Sequence, residues 1–406
     1  MRYLFELGRV TSLSRVEIEQ TLIQLHITFT ILNISQHFLF LETKEPLDES
    51  ALIERLGGTV SIATHVGEIT HPAQDIAGVL LKNQPTGKIQ FSIHAEHERK
   101  LAEEVKEVLK EAGRSVRYIP PRNTATIIYN KLIQKQGDIT IIDRDIYLTR
   151  AVQPIEAWSE RDFGRPGRDS ESGMLPPKLA RMMINISGVS HNEVLLDPFC
   201  GSGTVLTEAL LLGFSNIVGS DNSEQAIKDT RKNMEWVSVP ATPLNPPLER
   251  GEGTVSPPAG GGQPDNVLAG VRGGGRVKVF QSDVRELSTH IEKNSISAIV
   301  AEPYMGKPLT GHEREEFLHI QARELGELFV DAFRVFQTIL KPEGVIVFII
   351  PRFWYRGKWI SIDCRDRIER EGFEIVPLTH HEPYILYHRP GQFVGREIWK
   401  FVSKSK

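Results

Sequence analysis

The sequence predicts an α/β protein, with a doubly wound sheet in the C-terminal half and an α+β N-terminal half before it. Residues 173–406 alternate short apolar strands with helices, which is the order of a doubly wound sheet. Residues 1–152 combine strands and helices in a different order, and a charged stretch with proline and glycine follows them. The length of 406 residues allows two to four domains, each large enough to bury a core.

The first predicted domain covers residues 1–84. Arg2–Gly8 and His37–Thr43 are apolar runs of strand length, and a helix with an apolar face lies between them. Asp48 is in position to cap a second helix, which a pair of glycines ends. The resulting order of strand, helix, strand, strand, helix and strand is typical of a ferredoxin-like unit.

Residues 85–152 form a second predicted α+β domain. A strand at Ile89–Ala95 leads into the charged helix Glu96–Ala112, and another helix spans about Asn123–Lys135 before a hairpin. The polar side of the Asn123–Lys135 helix suits contacts with phosphates. A helix face that is simply solvated has the same composition, so both interpretations stay open.

Two segments interrupt the pattern of strands and helices. Residues 153–172 combine mixed charges with proline and glycine, and we expect them to link the two halves. Residues 238–276 are crowded with proline and glycine and nearly free of apolar runs. Such a segment cannot bury enough surface to offset the entropy of ordering, so it is predicted to be a disordered insertion in the C-terminal domain.

The composition excludes several classes of protein. A formal net charge of −4 is not that of a uniformly basic nucleic-acid coat, although it permits local basic surfaces. Cys200 and Cys364 are the two cysteines, too few for a disulfide framework, and they favour a reducing, cytoplasmic location. The longest clean apolar run, Val345–Ile350, is far shorter than the ~20 residues of a membrane span. We expect a monomer without a metal and without membrane contact.

The stretch Glu193–Asn222 carries the most informative chemistry. An apolar strand ends at Asp197, and Gly201 and Gly203 then form a tight turn before a helix. A second strand ends at Asp221, where a carboxylate is placed to accept both hydroxyls of a ribose. The glycines let a ligand approach the backbone closely, and the helix N-terminus offers unpaired N–H groups. The stretch therefore predicts a site for a ligand that contains adenosine.

The residues around this turn favour S-adenosylmethionine over a dinucleotide. A dinucleotide fingerprint needs a small residue three positions after the second glycine, where this chain has Leu206. Asp197 would repel a pyrophosphate, whereas it attracts a cationic group. S-adenosylmethionine carries a sulfonium and an ammonium and no phosphate. A nicotinamide dehydrogenase is disfavoured for the same reasons.

Two further strand ends support a site at this edge of the sheet. Asp283 follows one strand, where it either accepts the adenine amino group or caps a helix at the surface. The strand Ile296–Ala301 runs directly into Glu302, Pro303 and Tyr304. Because the carboxyl ends of parallel strands share one edge, these residues are predicted to face the ligand site.

These motifs resemble those of class I S-adenosylmethionine-dependent methyltransferases. DPFCGSGT, GSDNS and SDV look like motifs I, II and III of that family, and GMLPPKLARMMIN resembles the helix before motif I in RNA methylases. EPY resembles the Asp/Asn-Pro-Pro-Tyr element with which amino-group methyltransferases hold the target amine. With its two-part N-terminal half, the chain is similar to the THUMP-containing tRNA guanine-N2 methyltransferases, the type that modifies guanosine ten.

The resemblance implies a role for each part of the chain. Residues 173–406 would form a Rossmann-like catalytic domain with a seven-stranded doubly wound sheet, and residues 85–152 a THUMP-like RNA-binding domain. Asp197, Gly201 and Gly203 would line the methionine end of the cofactor, Asp221 would bind the ribose, Asp283 the adenine, and Glu302, Pro303 and Tyr304 would form the catalytic target pocket.

The chain departs from the family pattern at the target pocket. When Tyr304 is aligned with the family tyrosine, Ala301 takes the place of the usual Asp or Asn. Glu302 then supplies the missing acceptor only from a slightly shifted backbone.

The sequence therefore predicts an enzyme that methylates the exocyclic N2 amine of a guanosine in tRNA with S-adenosylmethionine. RNA capture is expected from residues 85–150 and from the basic residues 351–406, where Phe353, Trp354, Tyr355 and Trp359 alternate with cations. Core packing explains those aromatic residues as well. The alternatives are methylation of rRNA, of a DNA amino group or of a protein glutamine, and a non-catalytic RNA-binding protein that retains the cofactor pocket.

Overall fold

The computed structural model describes residues 1–168, 174–238, 276–380 and 382–404. The chain divides into two compact units. The first contains Met1–Gly164, Pro176–Gly188 and Leu378–Ile385, and the second contains Arg165–Leu175, Val189–Pro377 and Leu386–Lys406. Most of the predicted insertion 238–276, and the end of the predicted linker 153–172, lie outside the described residues.

The first unit contains eight strands and seven helices in its described residues. In chain order they are β1 (Arg2–Leu7), α1 (Thr11–Gln24), β2 (Phe29–Ile34), β3 (Phe38–Thr43), α2 (Glu49–Arg55), β4 (Thr59–Glu68), α3 (Pro72–Asn83), β5 (Ile89–His94), α4 (Glu98–Glu111), β6 (Val116–Tyr118), α5 (Thr124–Tyr129), β7 (Asp138–Ile142), β8 (Asp145–Val152), α6 (Ile155–Ser159) and α7 (Pro177–Ser187). The predicted cap of α2 is present, because the Asp48 carboxylate accepts the Ala51 N–H at 2.9 Å.

The strands of the first unit form one sheet in the order β2-β3-β1-β4-β8-β7-β5-β6. The element order expected for residues 1–84 is present and is already complete at the end of β4. β4 then pairs antiparallel with β8, so the sheet continues without a break into the second predicted domain. Pairing between β4 and β8 joins segments far apart in the chain, and no local pattern in the sequence announces it.

The two largest of the hydrophobic clusters described in the first unit pack on this sheet. One contains Phe5, Ile18 and Leu39, which come from β1, α1 and β3. The other contains Ile76 and Phe91, from α3 and β5, together with apolar residues of α4. The sequence reading did not predict α3, and the boundary placed after residue 84 separates this helix from the core in which it packs.

Helix α7 belongs to the first unit, which corrects the assignment of the whole segment 173–406 to the catalytic domain. The fully buried Glu17 of α1 links the two helices: its carboxylate accepts Asn185 Nδ2 of α7 at 2.7 Å. The same carboxylate accepts the N–H groups of Gly57 and Gly58 at 2.7 and 2.8 Å. Burial raises the pKa of Glu17 to about 7, against the lowering effect of these hydrogen bonds.

The described residues of the second unit alternate strands and helices as predicted. In chain order they form β9 (Val194–Asp197), α8 (Thr204–Leu211), β10 (Asn216–Asp221), α9 (Glu224–Ser238), β11 (Arg276–Gln281), β12 (Ile296–Ala301), α10 (Glu315–Ile339), β13 (Leu340–Tyr355), β14 (Lys358–Ser361), α11 (Arg365–Arg370), β15 (Phe373–Ile375), β16 (Ile385–Tyr387) and β17 (Val394–Ser403).

The main path of the second sheet runs through seven strands in the order β11-β10-β9-β12-β13-β17-β15. The first five of these strands pair in parallel, and β17 is inserted antiparallel next to β13. Two short strands, β14 and β16, extend the sheet beyond this path. The parallel arrangement brings the carboxyl ends of β9, β10, β11 and β12 to one edge.

None of the helices in the described part of the chain combines the length and the apolar character that a membrane span needs.

Candidate active site

Four acidic residues follow or end neighbouring parallel strands at one edge of the second sheet. Asp197 and Asp221 are the last residues of β9 and β10, Asp283 comes two residues after β11, and Glu302 comes directly after β12. All four line one cavity of about 840 Å³. Of the eight site residues predicted from the sequence, the cavity is lined by Asp197, Gly201, Asp221, Asp283, Glu302, Pro303 and Tyr304.

The two glycines of the turn after β9 have different surroundings. Gly201 has a φ of +51°, and a Cβ added there meets nothing within 4 Å. Gly203 has a φ of +81°, and its Cβ would lie 2.9 Å from Cγ2 of Thr230. Both backbones are in the left-handed region that favours glycine. Gly201 therefore leaves open space at the cavity, whereas Gly203 allows α8 to start close to α9.

Asp197 is a buried carboxyl with little support from its own chain. The residue is 2% exposed, and its Oδ1 accepts the Phe199 N–H at 3.1 Å. Burial raises the pKa of this carboxyl well above its ordinary value, and the nearby charges of Asp221 and Glu302 raise it further. A positively charged ligand group in the cavity would reverse this effect, because an opposite charge favours the ionised carboxylate.

Asp221 and Asp283 are held by backbone N–H groups. Asp221 accepts the N–H of Gly201 at 3.0 Å and that of Ser223 at 2.9 Å, which fixes its carboxylate beside the glycine turn. Asp283 accepts the Arg285 N–H at 2.9 Å and so caps a short 3-10 segment. The two interpretations of Asp283 do not exclude each other, since this residue caps a helical segment and also lines the cavity.

The loop after β12 presents three residues in different environments. Ala301 is fully buried as the last residue of β12, Pro303 is buried, and Tyr304 is 51% exposed at the cavity. The Glu302 side chain is 11% exposed, and its Oε1 accepts Nε of Arg396 at 2.5 Å. Glu302 thus reaches the cavity from the position directly after the strand.

Several lining residues were not predicted from the sequence. Those with polar or aromatic side chains include Arg168, Phe199, Ser202, Asn222, Gln225, Asp229 and Arg285. Asn222 and Ser202 adjoin predicted residues, so their position in the motifs was a usable signal. Arg396 lies 94 positions after its partner Glu302, and nothing near it in the sequence points to the cavity.

The aromatic residues 353–359 divide between the core and the surface. Phe353 is fully buried, so the core interpretation holds for it. Trp354 is 36% exposed and packs edge-on against Trp359, with ring centroids 4.9 Å apart. Trp354 therefore remains a candidate for contact with a nucleic-acid base.

One group of side chains in the first unit has the composition of a metal site. His65, Glu68 and Asp145 place ligand atoms within 4.8 Å of one another. The guanidinium of Arg2 lies among them, 3.3 Å from Asp145 and 3.4 Å from Glu68. The group is therefore an ion-pair network around Arg2, and the expectation of a metal-free protein stays a prediction.

Comparisons with known proteins find a family model and curated relatives that match part of the chain. Residues 165–242 match the family model described as RMKL-like, methyltransferase domain. A stretch of 67 residues is 46% identical to the tRNA (guanine(10)-N2)-dimethyltransferase of Methanothermobacter thermautotrophicus, covering 16% of this chain and 20% of that protein. A stretch of 63 residues is 41% identical to the protein of the same name from Methanocaldococcus jannaschii, covering 16% of this chain and 18% of that protein. The chain thus spans about a fifth of the length of the curated relatives it matches.

A solved structure resembles the whole chain. TrmN from Thermus thermophilus aligns with a TM-score of 0.53 over 99% of this chain and 100% of that chain, at 14% identity. At this identity the likeness shows the fold alone. The predicted class I methyltransferase fold is confirmed, and residues 165–242 are similar to the family described as RMKL-like, methyltransferase domain.

Proposed function

We propose that the chain is an S-adenosylmethionine-dependent methyltransferase that modifies the exocyclic N2 amine of a guanosine in tRNA. The observation that carries this proposal is the convergence of Asp197, Asp221, Asp283 and Glu302 on one cavity beside the open turn at Gly201. The names of the curated relatives support the choice of tRNA and of guanosine ten. Because the match covers about a fifth of those proteins, both remain proposals for this chain.

The cavity fits S-adenosylmethionine in shape and in charge. A buried carboxyl at Asp197 has no cationic side chain hydrogen-bonded to it among the described residues, which suits the positive charges of the cofactor. Open space at Gly201 admits a ligand against the backbone. Asp221 would accept the ribose hydroxyls and Asp283 the adenine amino group.

The residues after β12 would hold the target amine. When bound, S-adenosylmethionine would supply an electrophilic methyl group to the amine nitrogen: the carbon–sulfur electrons would return to sulfur, and the proton lost by nitrogen would pass to solvent water. The amine is a poor nucleophile because its lone pair is delocalised into the purine ring. Glu302, by accepting an amine hydrogen, would localise that lone pair and stabilise the positive charge that develops on nitrogen.

Tyr304 would stack on the target base. The ring is half-exposed at the cavity wall, where a base that has left its helix meets an aromatic face. The α+β first unit would capture the tRNA as a THUMP-like RNA-binding module, and the enzyme would act in the cytoplasm. Phosphate contacts by such a module predict that binding weakens steeply with salt.

The first test is methyl transfer itself. The purified chain is incubated with S-adenosylmethionine and unmodified tRNA transcripts, and the digested nucleosides are analysed by mass spectrometry. N2-methylguanosine or its dimethyl form is the expected product, and fragment mapping locates the nucleotide. A different methylated nucleoside would overturn the target assignment. Cofactor binding without methylation of any RNA would favour the non-catalytic alternative.

Two variants separate the cofactor half of the site from the target half. Asp221→Ala is expected to weaken cofactor binding in calorimetry, because the ribose loses its acceptor. Glu302→Ala is expected to lower turnover strongly while cofactor binding survives. Equal effects of both variants on cofactor affinity would contradict this division of roles.

A further inference from the structure

Glu302, which lines the cavity, forms an ion pair with Arg396, a residue that none of the motifs includes. Glu302 follows β12, and Arg396 lies in β17, where it is paired with Pro351 of β13. The Glu302 Oε1 accepts Arg396 Nε at 2.5 Å, and the two side chains are 11% and 15% exposed. Both backbones are fixed by the sheet, so the carboxylate has a defined position at the cavity.

A second ion pair in the same sheet shows what is unusual about the first. Arg352 and Glu397 face each other at 3.3 Å with side chains that are 15% and 7% exposed. The other oxygen of Glu397 accepts the indole N–H of Trp399 at 3.1 Å, so both carboxylate oxygens of Glu397 have partners within the protein. Neither residue lines the cavity.

The carboxylate of Glu302 keeps capacity to bind a ligand. Across the described residues, its Oε2 has no hydrogen-bond partner, and Glu302 lines the cavity. An ionised carboxylate accepts hydrogen bonds at both oxygens and donates none. Arg396 occupies one acceptor position and cannot itself lose its proton, so the pair presents a fixed, acceptor-only surface.

We propose that Arg396 is a positioning residue that fixes the Glu302 carboxylate to recognise two adjacent N–H donors on the target purine. Guanine offers such a pair, N1–H and the N2 amine, whereas adenine offers one donor beside the bare nitrogen N1. A carboxylate can only accept hydrogen bonds, so when it faces the unprotonated N1 of adenine neither the carboxylate oxygen nor the nitrogen receives a donor. These unpaired acceptors strongly disfavour adenine as the target base. The pair would thus select guanine, and this inference rests on the proposed function.

The test uses tRNA in which the mapped target guanosine is replaced by 2,6-diaminopurine. This base keeps the N2 amine but lacks the N1–H donor, and it carries an amine in place of the O6 acceptor, so the comparison between wild type and Glu302→Gln isolates the contribution of the carboxylate. Wild-type protein is expected to methylate guanosine with a kcat/KM at least about tenfold above that for diaminopurine. Glu302→Gln, whose amide can donate to N1, is expected to reduce or invert this ratio. A ratio that is unchanged in Glu302→Gln would overturn the proposal.

Arg396 is tested by replacement with Gln and with Lys. Arg396→Gln is expected to lower kcat on guanosine by about tenfold or more while the cofactor Kd stays within about twofold, and to narrow the preference for guanosine. Arg396→Lys keeps a cation, so its kcat and its preference for guanosine are expected to lie between those of Arg396→Gln and of wild type. In the Glu302→Gln background, Arg396→Gln should have no further effect on base preference, since there is no carboxylate left to fix.

Arg352→Gln is the matched control, because it breaks an ion pair of similar burial in the same sheet. This variant is expected to keep the wild-type preference for guanosine, whatever it does to thermal stability. If Arg396→Gln changes base preference no more than Arg352→Gln does, Arg396 has only a structural role and the proposal is wrong.

The failure of this inference is distinguishable from the failure of the proposed function. Wild-type protein that makes N2-methylguanosine while no variant alters the base preference removes the inference alone. Wild-type protein that methylates no guanosine N2 removes the proposed function, and the inference falls with it.

Discussion

Two buried carboxyl groups, one in each unit, lie in contrasting surroundings. Glu17 in the first unit receives three N–H donors from its own chain. Asp197 in the second unit accepts one backbone N–H and lines a cavity. Burial raises the pKa of both carboxyls. The two carboxyls therefore differ in the number of donors that the chain supplies, whereas a raised pKa is common to both.

The largest effect is expected when the donors around Glu17 lose their acceptor. Glu17→Ala leaves two backbone N–H groups and the Asn185 amide without their partner, which should lower the free energy of unfolding by about 4 kcal/mol in urea titrations. Glu19→Ala on the same helix is the control. Its partner Arg15 is four residues away at the surface, so its loss should cost about 0.5 kcal/mol. Similar losses for both variants would refute a structural role for Glu17.

The pH dependence of stability should reveal Glu17 as well. The pKa of Glu17 is about 7 in the folded protein, against an ordinary value of 4.5, so the folded state binds the proton more tightly than the unfolded state does. Stability is therefore expected to fall as pH rises from about 4.5 to about 7, by about 3 kcal/mol from this residue. The difference between wild type and Glu17→Gln isolates this contribution. A difference that does not change with pH would show that Glu17 keeps an ordinary pKa.

At Asp197, in contrast to Glu17, a substitution is expected to change cofactor binding and to leave the free energy of unfolding intact. Asp197→Asn should weaken cofactor binding by about 10- to 100-fold while the free energy of unfolding is unchanged or raised, because a buried charge is removed. Wild-type affinity should rise with pH as this carboxyl ionises, and the variant should lack that rise. Calorimetry over a pH series measures both, with the exposed Asp363→Asn as control. A large loss of stability in Asp197→Asn would erase the contrast with Glu17.

The smallest effects are expected at the glycines of the turn. Gly201→Ala should cost about 1 kcal/mol of stability for its left-handed backbone, and its methyl group should enter the cavity and weaken cofactor binding. Gly203→Ala should cost more stability, because its methyl group meets Thr230 as well. Urea titration measures the stability of the two variants and calorimetry measures their cofactor binding. Together they would test whether Gly201→Ala acts mainly on binding and Gly203→Ala mainly on stability. If the ratio of binding loss to stability loss were the same in both variants, this difference between the two glycines would be contradicted.

Four of the acidic residues that line the cavity were predictable because each ends a strand or follows one within two residues. Asp197 and Asp221 stand at the ends of apolar runs, and a parallel sheet brings such ends together. Glu302 was predicted because it directly follows an apolar strand. The alignment with the family pattern instead placed Ala301 where the family has its Asp or Asn. The structure shows Ala301 fully buried in β12 and Glu302 at the cavity, so burial decides between the two residues.

The contacts that the sequence reading missed are those between distant segments. Arg396 meets Glu302 because β17 is inserted next to β13, and no local pattern encodes that insertion. Helix α7 precedes the first strand of the catalytic sheet, so its sequence position suggested the wrong unit. Its partner Glu17 lies 168 positions away. Long-range pairing of this kind is set by packing in three dimensions and leaves no periodic signal.

The division of the first unit into three stretches of chain also sets an order of assembly. Ribosomes extend a chain by roughly 5–20 residues per second, so Leu378 is added some tens of seconds after Gly164 at the slower of these rates. Throughout that interval the first unit lacks Leu378–Ile385, although every strand of its sheet has already been made. Until α7 is made, the carboxylate of Glu17 lacks its hydrogen bond from Asn185. The unit whose chain begins first is therefore completed only after most of the second unit has been synthesised.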